Sequence, residues 1–145
     1  MLSDDQCRPL GLLLSPGNRH DSIYLEALLD AVRVPRAGRG RPRKRPDDLS
    51  LDMAYSDKKC RNLLRRRGIR HMIPERDDQR EDRQKKDRAG GRPCVYDQPR
   101  YSNRNIAERC ILRLLWFRRV AMRYDKREAS YLAFVTIAAI MLWLR

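Results

Sequence analysis

From Glu75 to Arg92 the chain carries charged and amide side chains of both signs and no apolar group larger than alanine. Such a stretch has nothing to bury, so burial cannot offset the entropy of ordering it. Any core must be assembled from the apolar segments on either side. The expectation is a mobile charged loop over 75–100, with Gly90-Gly91-Arg92-Pro93 closing its charged part. At 145 residues one domain is the default, and 36% charged residues with a mean hydropathy of -0.77 favour a partly ordered domain over a compact globule.

The apolar segments have readable periods. Pro9 to Ser15 is a short apolar run closed by Pro16-Gly17, which predicts a buried strand ending in a turn. Asp21 then caps a helix with Ile23, Leu25, Leu28, Leu29 and Val32 on its apolar side, and Pro35 stops it. The basic segment 36–47 is a loop that serves either as a solvated linker or as a track for a DNA backbone. Asp48–Tyr55 alternates like a strand, with Asp52 at its C-terminal end. A helix over Asp57–Arg67 follows, with Gly68 as its stop, and then a strand over Ile69–Ile73. Ile106, Cys110, Leu114, Phe117 and Ala121 predict one long helix from about Asn103 to Tyr124. Glu128–Leu144 predicts a last helix, apolar on nearly every side and hence central to the packing. Strand and helix alternate through the first half, so the expected class is α/β.

Net charge is +14, from 33 basic and 19 acidic residues, and most of the basic side chains are arginine. The planar guanidinium fork matches phosphate, so a polyanionic partner is expected, most simply nucleic acid. The cysteines Cys7, Cys60, Cys94 and Cys110 make no C-x-x-C pair, which argues against zinc and against a disulfide framework. The apolar run Tyr131–Leu144 falls short of the roughly 20 residues of a membrane span. No membrane partner and a cytoplasmic location are expected.

Two acids stand where chemistry could occur. Asp52 closes a strand of an α/β layer, a position where sites form, although most such aspartates are turn or cap residues. On a continuous helix, at about 100° per residue, Glu108 shares one stripe with Arg104, Leu115 and Arg119, opposite the apolar face. Taken alone, Arg104 and Glu108 read as an ordinary intrahelical pair worth about 0.2–0.5 kcal/mol. Jointly, Asp52 and Glu108 could serve DNA cleavage, in which two carboxylate-held Mg2+ ions activate the nucleophile, neutralise the phosphate and stabilise the leaving oxygen.

The run Tyr101-Ser102-Asn103-Arg104-Asn105-Ile106-Ala107-Glu108-Arg109 resembles the Y-x-x-R-x-x-x-E signature of DDE transposases of bacterial insertion sequences, in particular the IS-five type. Further stretches agree in order. Pro9-Leu10 through Pro16-Gly17-Asn18-Arg19-His20-Asp21 is similar to the strand and turn after the family's first catalytic Asp. Leu51-Asp52-Met53-Ala54-Tyr55 is similar to the segment around the second. Ala89–Pro93 and Phe117–Lys126 match the flanks of the Glu motif. The resemblance implies an RNase H-like (ribonuclease H-type) fold with long C-terminal helices, and Mg2+-dependent cleavage and joining of DNA at element ends and target, with Mn2+ as the alternative metal. It makes Asp52 and Glu108 the catalytic, metal-holding second and third acids, and Tyr101, Arg104, Arg109 and Arg119 the DNA-binding residues.

Two departures qualify the resemblance. Leu115 stands where the family pattern has a Lys, and Arg119 is the nearest cation that could replace it. No residue before Pro9 fits the first catalytic Asp; Asp4 and Asp5 look like a polar turn ahead of the strand. The expectation is therefore an N-terminally truncated, partial DDE catalytic domain over 1–145, inactive alone and completed by an upstream reading frame or by full-length transposase in the bacterial nucleoid. The alternative is a non-catalytic remnant that binds DNA or pairs with transposase.

Overall fold

The computed structural model describes residues 1–102 and 104–144, and the fold is mixed α/β. Its contacts divide into two units. One comprises Met1–Lys44 and the residues from Asn105 onward; the other comprises Arg45–Arg104.

In the first unit, β1 (Leu2–Ser3) pairs antiparallel with β2 (Pro9–Gly11). Asp4 builds the turn between them. Its Oδ1 accepts the N–H groups of Gln6 and Arg8 at 3.0 and 2.9 Å, and its Oδ2 takes the Arg8 guanidinium at 2.6 Å. That is the turn role the sequence suggested for this acid. A 3-10 turn at Asp21–Tyr24 leads into α1 (Leu25–Ala31), which buries Leu25, Leu28 and Leu29. The predicted helix thus starts later than Asp21 suggested, and the His20 ring, rather than the Asp21 carboxylate, accepts at the N-cap. The basic loop is pinched at its base by mutual N–H···O bonds between Val34 and Arg43, 2.9 and 2.8 Å long.

The C-terminal part of this unit holds α5 (Asn105–Leu115), α6 (Arg118–Met122) and α7 (Glu128–Trp143). The single long helix expected to Tyr124 is broken at Trp116–Phe117, and its expected start, Asn103, lies outside the described residues. The break has a packing reason. A continuous helix would put Ala121 beside Leu114 and Phe117. Resetting the phase instead buries Val120 and leaves Ala121 exposed, so Leu114, Phe117 and Val120 all reach the cluster formed with Val135, Ala138, Ala139 and Leu142 of α7. The Tyr131 hydroxyl donates to the Val120 carbonyl at 3.1 Å and ties α7 to α6. Only one face of α7 is buried, since Ile137 and Ile140 are 55% and 52% exposed; the helix is not surrounded, as its composition had suggested. No described helix is long and apolar enough to cross a membrane.

The second unit is built on a β–α–β connection. β3 (Asp48–Ser50) and β4 (Arg70–Met72) pair in parallel, in register Asp48–Arg70, Leu49–His71 and Ser50–Met72. Parallel neighbours need a crossover, and α2 (Lys58–Arg66) supplies it, burying Cys60, Leu63 and Leu64. Among the described residues the strands form two separate two-stranded sheets rather than the one layer expected.

The charged stretch expected as a loop is also corrected, because Asp77–Lys85 forms helix α3 and Gln98–Ser102 forms the short α4. α3 needs no apolar face. Asp77 and Asp78 stand at its N-terminus, and Arg83 and Lys85 at its C-terminus, matching the helix dipole. Glu81–Lys85 adds an exposed pair one turn apart, and Arg83 reaches back in a two-pronged bond to Glu75 at 3.0 and 3.1 Å. Gly90 then passes so close to Arg83 that a Cβ would overlap its carbonyl.

Candidate functional site

Asp52 lies just beyond the carboxyl end of β3. The parallel ladder runs one bond further, from the Leu51 N–H to the Met72 carbonyl at 2.9 Å, and then the chain turns. Asp52 is extended and caps the 3-10 turn Met53–Tyr55, its Oδ1 accepting the Met53 N–H at 2.6 Å. Asp52 therefore does act as a cap. Its other oxygen does something a cap does not require: Oδ2 lies 3.2 Å from Nη1 of Arg104. With the side chains 52% and 29% exposed, this pair contributes at most about 1 kcal/mol to stability. Its interest lies in what it joins, because Asp52 and Arg104 belong to two motifs far apart in sequence.

Arg104 is itself placed by Tyr101. The Arg104 N–H donates to the Tyr101 carbonyl at 2.8 Å, and the guanidinium stands 5.6 Å from the centre of the Tyr101 ring. Tyr96 packs on the other aromatic, with ring centroids 5.4 Å apart. Tyr96 lies in the stretch expected as a loop, and only the fold marks it as a neighbour of Tyr101.

The remaining predicted residues belong to the other unit. Glu108 stands in the first turn of α5 and is exposed, as is Arg109. Arg119 lies on α6, so the expected stripe of Arg104, Glu108, Leu115 and Arg119 along one helix does not exist. Arg104 precedes α5, and the break at Trp116–Phe117 resets the phase before Arg119. The Arg119 guanidinium lies 4.3 Å from the Phe134 ring centre and 3.7 Å from Asp125. Asp125, between α6 and α7, thus holds this arginine.

Carboxylate oxygens are the donors that Mg2+ takes, so Asp52 and Glu108 suit it in kind. Among the described residues, no group of three or more His, Cys, Asp or Glu side chains is placed to hold a metal ion. The Arg104 guanidinium takes one Asp52 oxygen, and its positive charge opposes a dication there.

Comparison with known proteins identifies the family. A protein of Burkholderia cepacia, described as a candidate transposase for insertion sequence element IS402, is 28% identical over 142 residues, which is 98% of this chain. The chain spans 60% of that relative's length. No solved structure matches significantly. The family profile of the transposase DDE domain matches residues 1–144, running through the Asp52 segment and the Tyr101–Glu108 signature alike, and the chain belongs to that family.

Proposed function

We propose that the chain carries the second and third catalytic carboxylates of a DNA transposase of RNase H-like type, which cleaves and joins DNA at the ends of an insertion sequence and at its target. The observation that carries this reading is the 3.2 Å contact between Asp52 and Arg104, because it ties the Asp segment to the Y-x-x-R-x-x-x-E run. Asp52 and Glu108 would hold the divalent ion, Mg2+ or in its place Mn2+. When bound, that ion neutralises charge on the phosphate and activates the attacking oxygen. Arg104, stacked on Tyr101, and the exposed Arg109 and Arg119 offer guanidinium groups to flanking phosphates. The remaining carboxylate and the DNA-end recognition come from an upstream transposase portion or a full-length copy, in the bacterial nucleoid.

The test is nicking of supercoiled plasmid by the chain, alone and mixed with a full-length relative, in Mg2+ and in Mn2+. Asp52→Asn and Glu108→Gln should abolish the metal-dependent cleavage contributed by this chain while leaving DNA binding within a few-fold. Cleavage that persisted in both variants would refute the assignment.

A second reading rests on the net charge of +14 and on the Arg104 guanidinium that already takes Asp52 Oδ2. The chain would then bind DNA or pair with transposase without cutting. It predicts salt-sensitive binding indifferent to both substitutions, and no cleavage in any mixture.

A further inference from the structure

Within the second unit, α2, β4 and the segment 92–95 enclose an open cleft of about 570 Å³. Its charge is one-sided. Arg61, Arg65, Arg70 and Arg92 line it against a single carboxylate, Asp48. The arginines are held in ways that keep their charge. Arg61 donates to the carbonyls of Ser56, Ile73 and Pro74 at 3.1–3.2 Å, and Arg70 donates to the Asp47 carbonyl at 3.4 Å; carbonyls satisfy N–H groups without neutralising the cation. Arg65 and Arg92 are exposed, and neither is paired with a carboxylate among the described residues. Asp48 Oδ1 is partly occupied by the Leu49 N–H at 2.9 Å. Gly68 leaves the wall bare of a side chain, with the Arg45 guanidinium lying against it.

We propose that this cleft is a second nucleic-acid contact, distinct from the residues around Asp52, in which Arg65 and Arg92 each bind a backbone phosphate of a DNA strand. The inference rests on the transposase reading for the identity of the polyanion. The cleft's own chemistry favours a polymer over a free anion. Solvent-open guanidiniums hold a lone phosphate weakly, because water and salt screen them. A strand gains affinity by displacing counterions at every phosphate contacted.

The experiment is fluorescence anisotropy of the whole chain with labelled random-sequence duplex, repeated over a range of KCl. Replacing two phosphate contacts with Arg65→Ala and Arg92→Ala together should reduce the slope of log K against log salt by about 1.8, while Arg65→Lys with Arg92→Lys should keep most of it. Circular dichroism verifies the fold of each variant. Photocrosslinking of the unaltered chain to iodouracil-substituted DNA should label 92–95, a readout that needs no variant. If the unaltered chain binds DNA but the alanine pair keeps its slope, or if 92–95 stays unlabelled, the cleft assignment falls and the transposase reading survives. If the unaltered chain binds no DNA, the cleft assignment falls and the transposase reading loses its DNA contact as well. Competition by inorganic phosphate at constant ionic strength would mark a small-anion site and overturn the proposal too.

Discussion

Leu64→Ala should unfold the chain at a much lower urea concentration, and the size of the loss follows from where Leu64 sits. Its side chain has no exposed surface, and α2, which carries it, packs on β4. Removing three carbons forfeits about 2.4 kcal/mol at roughly 0.8 kcal/mol per buried methylene. A cavity that does not fully collapse raises the total to about 3–4 kcal/mol. With a urea dependence of about 1.5–2 kcal/mol per molar, the midpoint should fall by roughly 2 M. Circular dichroism against urea measures it. Leu112→Ala on the exposed side of α5, where the side chain is 58% accessible, serves as the control and should move stability by no more than about 0.5 kcal/mol. The same reasoning has a local consequence. Because α2 backs β4, and β4 holds the Leu51 N–H through the Met72 carbonyl, hydrogen exchange at Leu51 should accelerate in Leu64→Ala. That amide belongs to the residue before Asp52, so the experiment links core packing to the candidate catalytic acid. An unchanged midpoint together with unchanged exchange at Leu51 would refute the packing argument.

Three other outcomes are expected. The two-pronged bond from Arg83 holds the Glu75 carboxyl below its ordinary value of 4.5, so its contribution to stability is complete above about that pH and is lost as pH falls through the lowered folded value; an NMR titration of Glu75 should give a midpoint under 4.5, returning upward in Arg83→Met. Gly68→Ala forces a side chain onto a backbone at φ 64°, 3.0 Å from the tip of Arg45, and should cost about 1–2 kcal/mol, read as a lower thermal midpoint. Burial pushes the Cys110 thiol up to about 11, so at about pH 8 iodoacetamide should alkylate the half-buried Cys94 well before Cys110, as peptide mapping would show; equal rates would contradict the burial of Cys110.

The elements were legible wherever a local pattern coincided with burial. α2 was readable from Cys60, Leu63 and Leu64 with Gly68 behind them, and β4 from the short run before Pro74. α3 has no apolar face for a helical period to mark, and only the charges at its ends, which a helix dipole favours, point to it. The α5–α6 break left no mark, since no Pro or Gly occurs between Asn105 and Met122. It is a choice between Ala121 and Val120 as the buried residue, and the packing partners on α7 decide it.

By itself the sequence marked Asp52 and Glu108 as candidate acids, gave the basic excess and the alternation of helix and strand after Pro9, and suggested the family that the match over residues 1–144 shows, but not the strand at Leu2–Ser3. These are properties of residue type and spacing, which local chemistry and a family pattern can carry. Tertiary structure alone decided that Arg104 turns to Asp52 and Tyr101 rather than lying on a stripe with Arg119, and that four arginines border one cleft. Those facts depend on where distant segments pack, and a guanidinium on its long flexible stem takes whichever partner that packing brings within reach.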